Sequence, residues 1–237
     1  MPKISYQTEH QGSQRRPPAS SATRVLLACG ITAGPLYLLV SYAQAFLRPG
    51  FDAAHNDLSV LANGDLGWMQ TTNLILTGAL TLLTAVGFRR ALNPGRGATW
   101  GPVLVGIYGA GLVGAGIFTA DPMNGFPQGA PPGPPISGSL HGFLHFVTAG
   151  IGFAAFIAAC CVMARRFYTS ENRRLGAFSL ATGILFLAAF VGIASGSTSA
   201  VIVLSFTAAV VLAWTWLAIT AAHLRRSQPL PPTVRTS

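Results

Sequence analysis

From Ser139 to Ala164 the chain runs through apolar and small residues with few interruptions, and it closes on Arg165 and Arg166. A helix of that length crosses a bilayer, since about 20 apolar residues match a hydrocarbon core roughly 30 Å thick. Lipid offers no partner for backbone N–H and C=O groups, so a spanning chain is either helical or a closed barrel. Period-2 alternation is absent throughout the sequence, which leaves helices. Five more apolar runs follow the same pattern: Val25 to Leu47, Trp68 to Phe88, Gly101 to Thr119, Leu175 to Ala194 and Val201 to Ala222. The predicted fold class is an all-α integral membrane protein with six transmembrane helices.

Charge places the ends. Only 9% of the 237 residues are charged, against roughly 25% in soluble domains. The net charge of +9 comes from short clusters beside the apolar runs rather than from a basic stripe interleaved with aromatics. Nucleic acid is therefore not an expected partner; the lipid bilayer is. Counted by side of the membrane, fourteen of the fifteen basic residues fall together, and only Arg48 opposes them. By the positive-inside rule both the N and C termini are cytoplasmic, in a multi-pass protein of the cell membrane. Residues 24–224 form one six-helix domain. The polar stretches 1–23 and 225–237 are expected to be disordered cytoplasmic tails.

Several local features carry expectations. Pro35 predicts a kink in the first helix. In the loop after Arg48, Asn56 or Asp57 is placed to cap a short helix with Leu58, Leu61 and Ala62 on one face, stopped by Asn63 and Gly64 and expected on the membrane surface. Gly106, Ala110 and Gly114 form a small-residue seam that predicts a central third helix. Residues 120–139 hold six prolines and read as a rigid, extended cover over one mouth of the bundle. Gln44, Asn73, Thr77 and Thr148 lie within spans and read as glue between helices. Cys29, Cys160 and Cys161 lack CxxC spacing and read as packing residues.

The remaining polar residues collect at the end opposite the arginines. His141 and His145 are one turn apart on one helix face, and the loops bring His55, Asp57, Asp65 and Asp121 to the same membrane surface. Imidazoles and carboxylates at one depth make a ligand set for a divalent metal such as zinc: His55, His141 and His145 would hold the ion and Asp121 would serve as ligand or general base. The HExxH signature is absent. The competing reading has the histidines at the headgroup interface and the aspartates capping helices.

Two blocks, HNDLSVLANGDLGW at 55–68 and DPMNGFPQG followed by HGFLH at 121–145, closely resemble a bacterial family of multi-pass membrane proteins, frequent in actinobacteria and catalogued as domain of unknown function 998. The resemblance covers about Val25 to His223. It implies the six-span fold, makes His55, Leu58, Ser59, Gly64, Asp65, Trp68, Asp121, Pro122, His141 and His145 motif residues, and implies no activity. Two functions are carried forward. The first is a non-catalytic membrane protein, a small transporter, sensor or binder of a lipid or small-molecule ligand, with a cavity lined by Thr, Asn and Gln and the histidines apart. The alternative is a metal-dependent hydrolase or lipid-modifying enzyme built on the outward-facing His and Asp residues. Both leave the oligomeric state open.

Overall fold

The computed structural model describes residues 21–228 other than residue 136. Six helices cover most of that range: α1 (Ser21–Leu47), α2 (Gly67–Leu92), α3 (Trp100–Ile117), α4 (Leu140–Thr169), α5 (Arg173–Ala194) and α6 (Ala200–Arg226), with a short 3₁₀ helix (Leu58–Ala62) between the first two. All six long helices are apolar enough to cross a membrane. Among the described residues there is no strand, only an isolated bridge between Met123 and Phe126. Pro35 is accommodated inside α1 rather than ending it. The two expected disordered tails lie almost wholly outside the described residues, and α6 continues to Arg226.

Each helix packs on its neighbour in sequence, and α6 returns to α1, so the six form a closed ring. The short connections 93–99, 170–172 and 195–199 favour antiparallel neighbours there. The Arg24 guanidinium donates to the carbonyls of Arg225 and Gln228, both at 3.4 Å, tying the start of α1 to the end of α6. Arg166 donates to the Arg96 carbonyl, joining the two other basic loops at the same end.

The interior is strongly aromatic. Tyr108, Phe153, Phe156, Phe186, Phe206, Trp214 and Trp216 contact one another in tilted and edge-to-face pairs, arrangements that contribute about 0.5 to 1.5 kcal/mol each beyond burial. Trp216 also donates its indole N–H to Ser179 Oγ at 2.9 Å, linking α6 to α5.

Small residues set the position of α3, but not the expected ones. Ala110 is exposed to the surrounding lipid, and a Cβ on Gly106 would find only Ala85 at 3.7 Å. The close approaches are at Gly109, whose Cβ would lie 2.9 Å from the Gly78 carbonyl oxygen on α2, and at Gly111, whose Cβ would lie 2.8 Å from Gly152 Cα on α4. Of the predicted seam only Gly114 packs tightly, against Thr148. The helix is a ring member wedged between α2 and α4 rather than an axis, so it needs small residues on two flanks instead of one line.

Between α1 and α2 lies a buried amide network. Gln44 Nε2 donates to Gln70 Oε1 at 2.9 Å, and Asn73 Nδ2 donates to the Tyr37 carbonyl at 3.1 Å and to Ser41 Oγ at 3.2 Å. Gln44 and Asn73 thus join helices as expected, whereas Thr77 and Thr148 bond carbonyls of their own helices.

Candidate functional site

The end of the bundle away from the arginines is closed by two interlocked loops. In the first, Arg48 donates to the carbonyls of Leu61 and Asn63, and its guanidinium lies over the Phe126 ring, 4.7 Å from the centroid. Burial draws this guanidinium below its ordinary pKa, with Asp65 opposing the shift. Asp57 caps the 3₁₀ helix by accepting from the Ser59 amide at 3.0 Å. Leu58, Val60, Leu61 and Ala62 are all buried, so this helix enters the bundle against α1 and α2 instead of lying on the membrane surface. Val60 is the reason, because it makes the short helix apolar on every side but that of Ser59.

The proline-rich segment is folded rather than extended. Asn124 and Gly125 turn the chain with φ of 51° and 75°, and the Asn124 side chain donates to the His55 carbonyl at 2.7 Å. Phe126 is buried edge-on against Phe51 of the first loop. Asp121 stands over the start of α4, where its Oδ2 accepts from the Ser139 amide at 3.0 Å. A carboxylate there complements the helix dipole. It also requires Gly142, where a Cβ would overlap the carboxylate.

The three histidines have three different surroundings. His55 is exposed and pairs with Asp52 at 2.7 Å; that hydrogen bond, followed by one from the Ala54 amide, holds the Asp52 carboxyl below its usual range. His141 sits in the exposed first turn of α4, edge-on to Phe118. His145, one turn deeper, is 4% exposed and turns inward. Its Nδ1 lies 3.0 Å from the Ala115 carbonyl oxygen and 2.8 Å from that of Phe118, where α3 ends. Its Nε2 is 3.1 Å from Ser59 Oγ. Both ring nitrogens are engaged, and no group of three or more His, Cys, Asp or Glu side chains that could hold a metal ion occurs among the described residues. Sharing a helix face did not bring His141 and His145 to a common ligand position with His55, because the wall of the bundle begins between the two turns.

The arrangement around Ser59 is chemically specific. Carbonyls only accept, so Nδ1 of His145 carries a proton, and in the neutral ring Nε2 offers its lone pair to Ser59. Ser59 Oγ donates to Asp57 Oδ1 at 2.6 Å. A hydroxyl has one proton to give, and here it lies between two bases.

These three side chains form one end of a partly open cavity of about 440 Å³. Every long helix contributes to its wall, and its depth is lined by Tyr37, Leu74, Tyr108, Phe153, Phe206 and Trp214. The volume falls in the range of small-molecule sites, roughly 300 to 1,000 Å³. Among the described residues the expected Thr, Asn and Gln lining is reduced to Thr207, since the amides are used up between α1 and α2. The Trp214 indole N–H is buried and has no hydrogen-bond partner among the described residues. Sequence reasoning passed over Ser59 as a chemical group. The available signal was its position two residues after a capping aspartate in a block otherwise apolar.

A family model described as "Protein of unknown function (DUF998)" matches residues 31–223. No curated protein and no solved structure matches the chain.

Proposed function

We propose that this chain, which belongs to the family of proteins of unknown function DUF998, takes an amphiphilic, lipid-like small molecule into the cavity between its helices. The observation that carries this reading is the division of that cavity into a polar end at Asp57, Ser59 and His145 and an apolar, aromatic depth ending near Tyr108 and Trp214. Tyr108 lies roughly 13 Å along α3 from its end at Ile117, close to half the thickness of a bilayer core of about 30 Å. A ligand with one polar end and an apolar tail fits that division. Pure hydrocarbon would strip water from the partly exposed Asp57 carboxylate at the polar end, and a wholly polar solute would lose its hydration against aromatic walls.

The membrane is taken to be the cell membrane, and the arginine-rich end is taken as cytoplasmic by the positive-inside rule, so the cavity's polar end faces outward. Binding of a tritiated long-chain amphiphile to detergent-solubilised protein tests the proposal. Gly150 lines the cavity, and its Cβ position is open to 3.8 Å from Phe190. Gly150→Leu fills the cavity and is expected to weaken binding about tenfold or more, each buried methylene displaced being worth roughly 0.8 kcal/mol. Ala110→Leu, on the lipid-facing surface, leaves binding unchanged. Equal affinity in native protein and Gly150→Leu overturns the reading.

A further inference from the structure

We propose that Ser59 and His145 form a nucleophile and base pair that cleaves an ester of the amphiphile held in the cavity, so that the protein is a serine-dependent acyl hydrolase. This rests on the cavity reading above and adds a reaction to it.

The geometry has three of the parts that such catalysis uses. The nucleophile and base are within hydrogen-bond reach, Oγ to Nε2 at 3.1 Å. The base is oriented by a third group: the carbonyls of Ala115 and Phe118 hold the proton on Nδ1 and aim the Nε2 lone pair at Ser59. Both residues line the cavity, beside space for an acyl chain. A tie that only fastened the loop to α4 would not require an open volume next to the hydroxyl.

The elements also fix the pair firmly. Ser59 sits on the buried 3₁₀ helix, whose N-cap Asp57 holds the Ser59 amide, and Arg48 clamps the far end of the same helix. His145 is locked where α3 ends against α4. The histidine is presented by one rigid helix and the serine by a braced turn, which suits a site that has to hold its geometry.

In the reaction, Ser59 Oγ bonds to the ester carbonyl carbon as its proton passes to His145 Nε2. The carbon to alkoxy-oxygen bond breaks, and Nε2 returns that proton to the leaving alcohol, which leaves an acyl group on Ser59. Water entering from the polar end of the cavity then attacks the acyl carbon and gives its proton to Nε2. The bond to Ser59 Oγ breaks, the proton goes back to Oγ, and a carboxylic acid is released. No oxidant or cofactor is consumed. Asp57 is a positioning residue that holds the Ser59 backbone and accepts the resting hydroxyl proton, so the hydroxyl rotates from Oδ1 to His145 Nε2 as it attacks.

The test uses the full-length protein in lipid nanodiscs and a decyl fluorophosphonate, which phosphonylates an activated serine with loss of fluoride. The readout is intact mass followed by peptide mapping. One adduct is expected, on Ser59, forming about tenfold faster than with the ethyl analogue because the chain occupies the cavity. Ser59→Ala gives none. His145→Gln slows labelling roughly 100-fold, the usual contribution of a general base. The native protein decides the matter even if a variant misfolds. No adduct on Ser59, or an adduct only on another serine, overturns the nucleophile. If amphiphile binding persists in that case, the cavity reading survives; if binding is also absent, both fall.

Discussion

Arg48 stands at the opposite end of the bundle from the other described arginines, and its role there is structural. Its guanidinium spans two carbonyls, those of Leu61 and Asn63, and covers the Phe126 ring. Removing it leaves both oxygens short of a donor and separates the two loops that close the cavity. Arg48→Ala is expected to lower stability by about 1 to 3 kcal/mol, read as a lower melting temperature in detergent. Arg48→Lys should recover little of it, since one ammonium cannot reach both carbonyls and also lie flat on the ring. A Lys variant melting like native protein would show that charge alone suffices. The sequence marked Arg48 as the exception to the charge rule but could not say why, because its acceptors are backbone atoms 13 and 15 positions away. Asp57 was legible as a cap, since capping is local. The partners of His145 were not: they come from the end of α3 and from the 3₁₀ helix, and periodicity does not encode which residues meet across a bundle.

At the scale of elements, the legible part was the set of spans and the illegible part was their rotation. Each apolar run became a helix close to its predicted limits because lipid admits no other backbone for it. The facing of α3 was misread because its sequence offers small residues on more than one side, so any seam of three looks equally plausible until α2 and α4 are in place. The corrected facing makes its own prediction. Gly109→Ala and Gly111→Ala, whose Cβ atoms would press on the backbones of Gly78 and Gly152, should each cost about 1 to 3 kcal/mol. Gly106→Ala, with its nearest neighbour at 3.7 Å, and Ala110→Leu should stay within about 0.5 kcal/mol of native. Melting the four variants side by side decides it, and equal losses at Gly106 and Gly109 would return the contact to the predicted seam. The short helix after Asp57 was legible, but its burial in the bundle and the turn at Asn124 were not, for a related reason. Both segments are held by contacts with each other, through Phe51, Phe126 and the His55 carbonyl, rather than by any pattern within themselves.

For the whole molecule, the ring explains how a chain with so few charges builds an interior site. Six helices closing on themselves leave an axis that no single helix occupies, and the aromatic side chains around it fill one half while the other half stays open as the cavity. The arginines gather at the filled end, where Arg24 and Arg166 staple the start of α1 to the end of α6 and one basic loop to another. An asymmetry of that kind gives the orientation of the protein a functional consequence, because it decides which compartment supplies ligand and water to Ser59 and His145. With the positive end inside, cysteines placed singly at Ser13, Gly95 and Ser170 of a version lacking Cys29, Cys160 and Cys161 should resist a membrane-impermeant maleimide in intact cells. A cysteine at Gly129, in the proline-rich loop beside the cavity, should react, and a decyl fluorophosphonate confined to the outer face should reach Ser59 in the same cells. Labelling at Gly95 or Ser170 but not at Gly129 would invert the molecule and place the site's entrance in the cytoplasm.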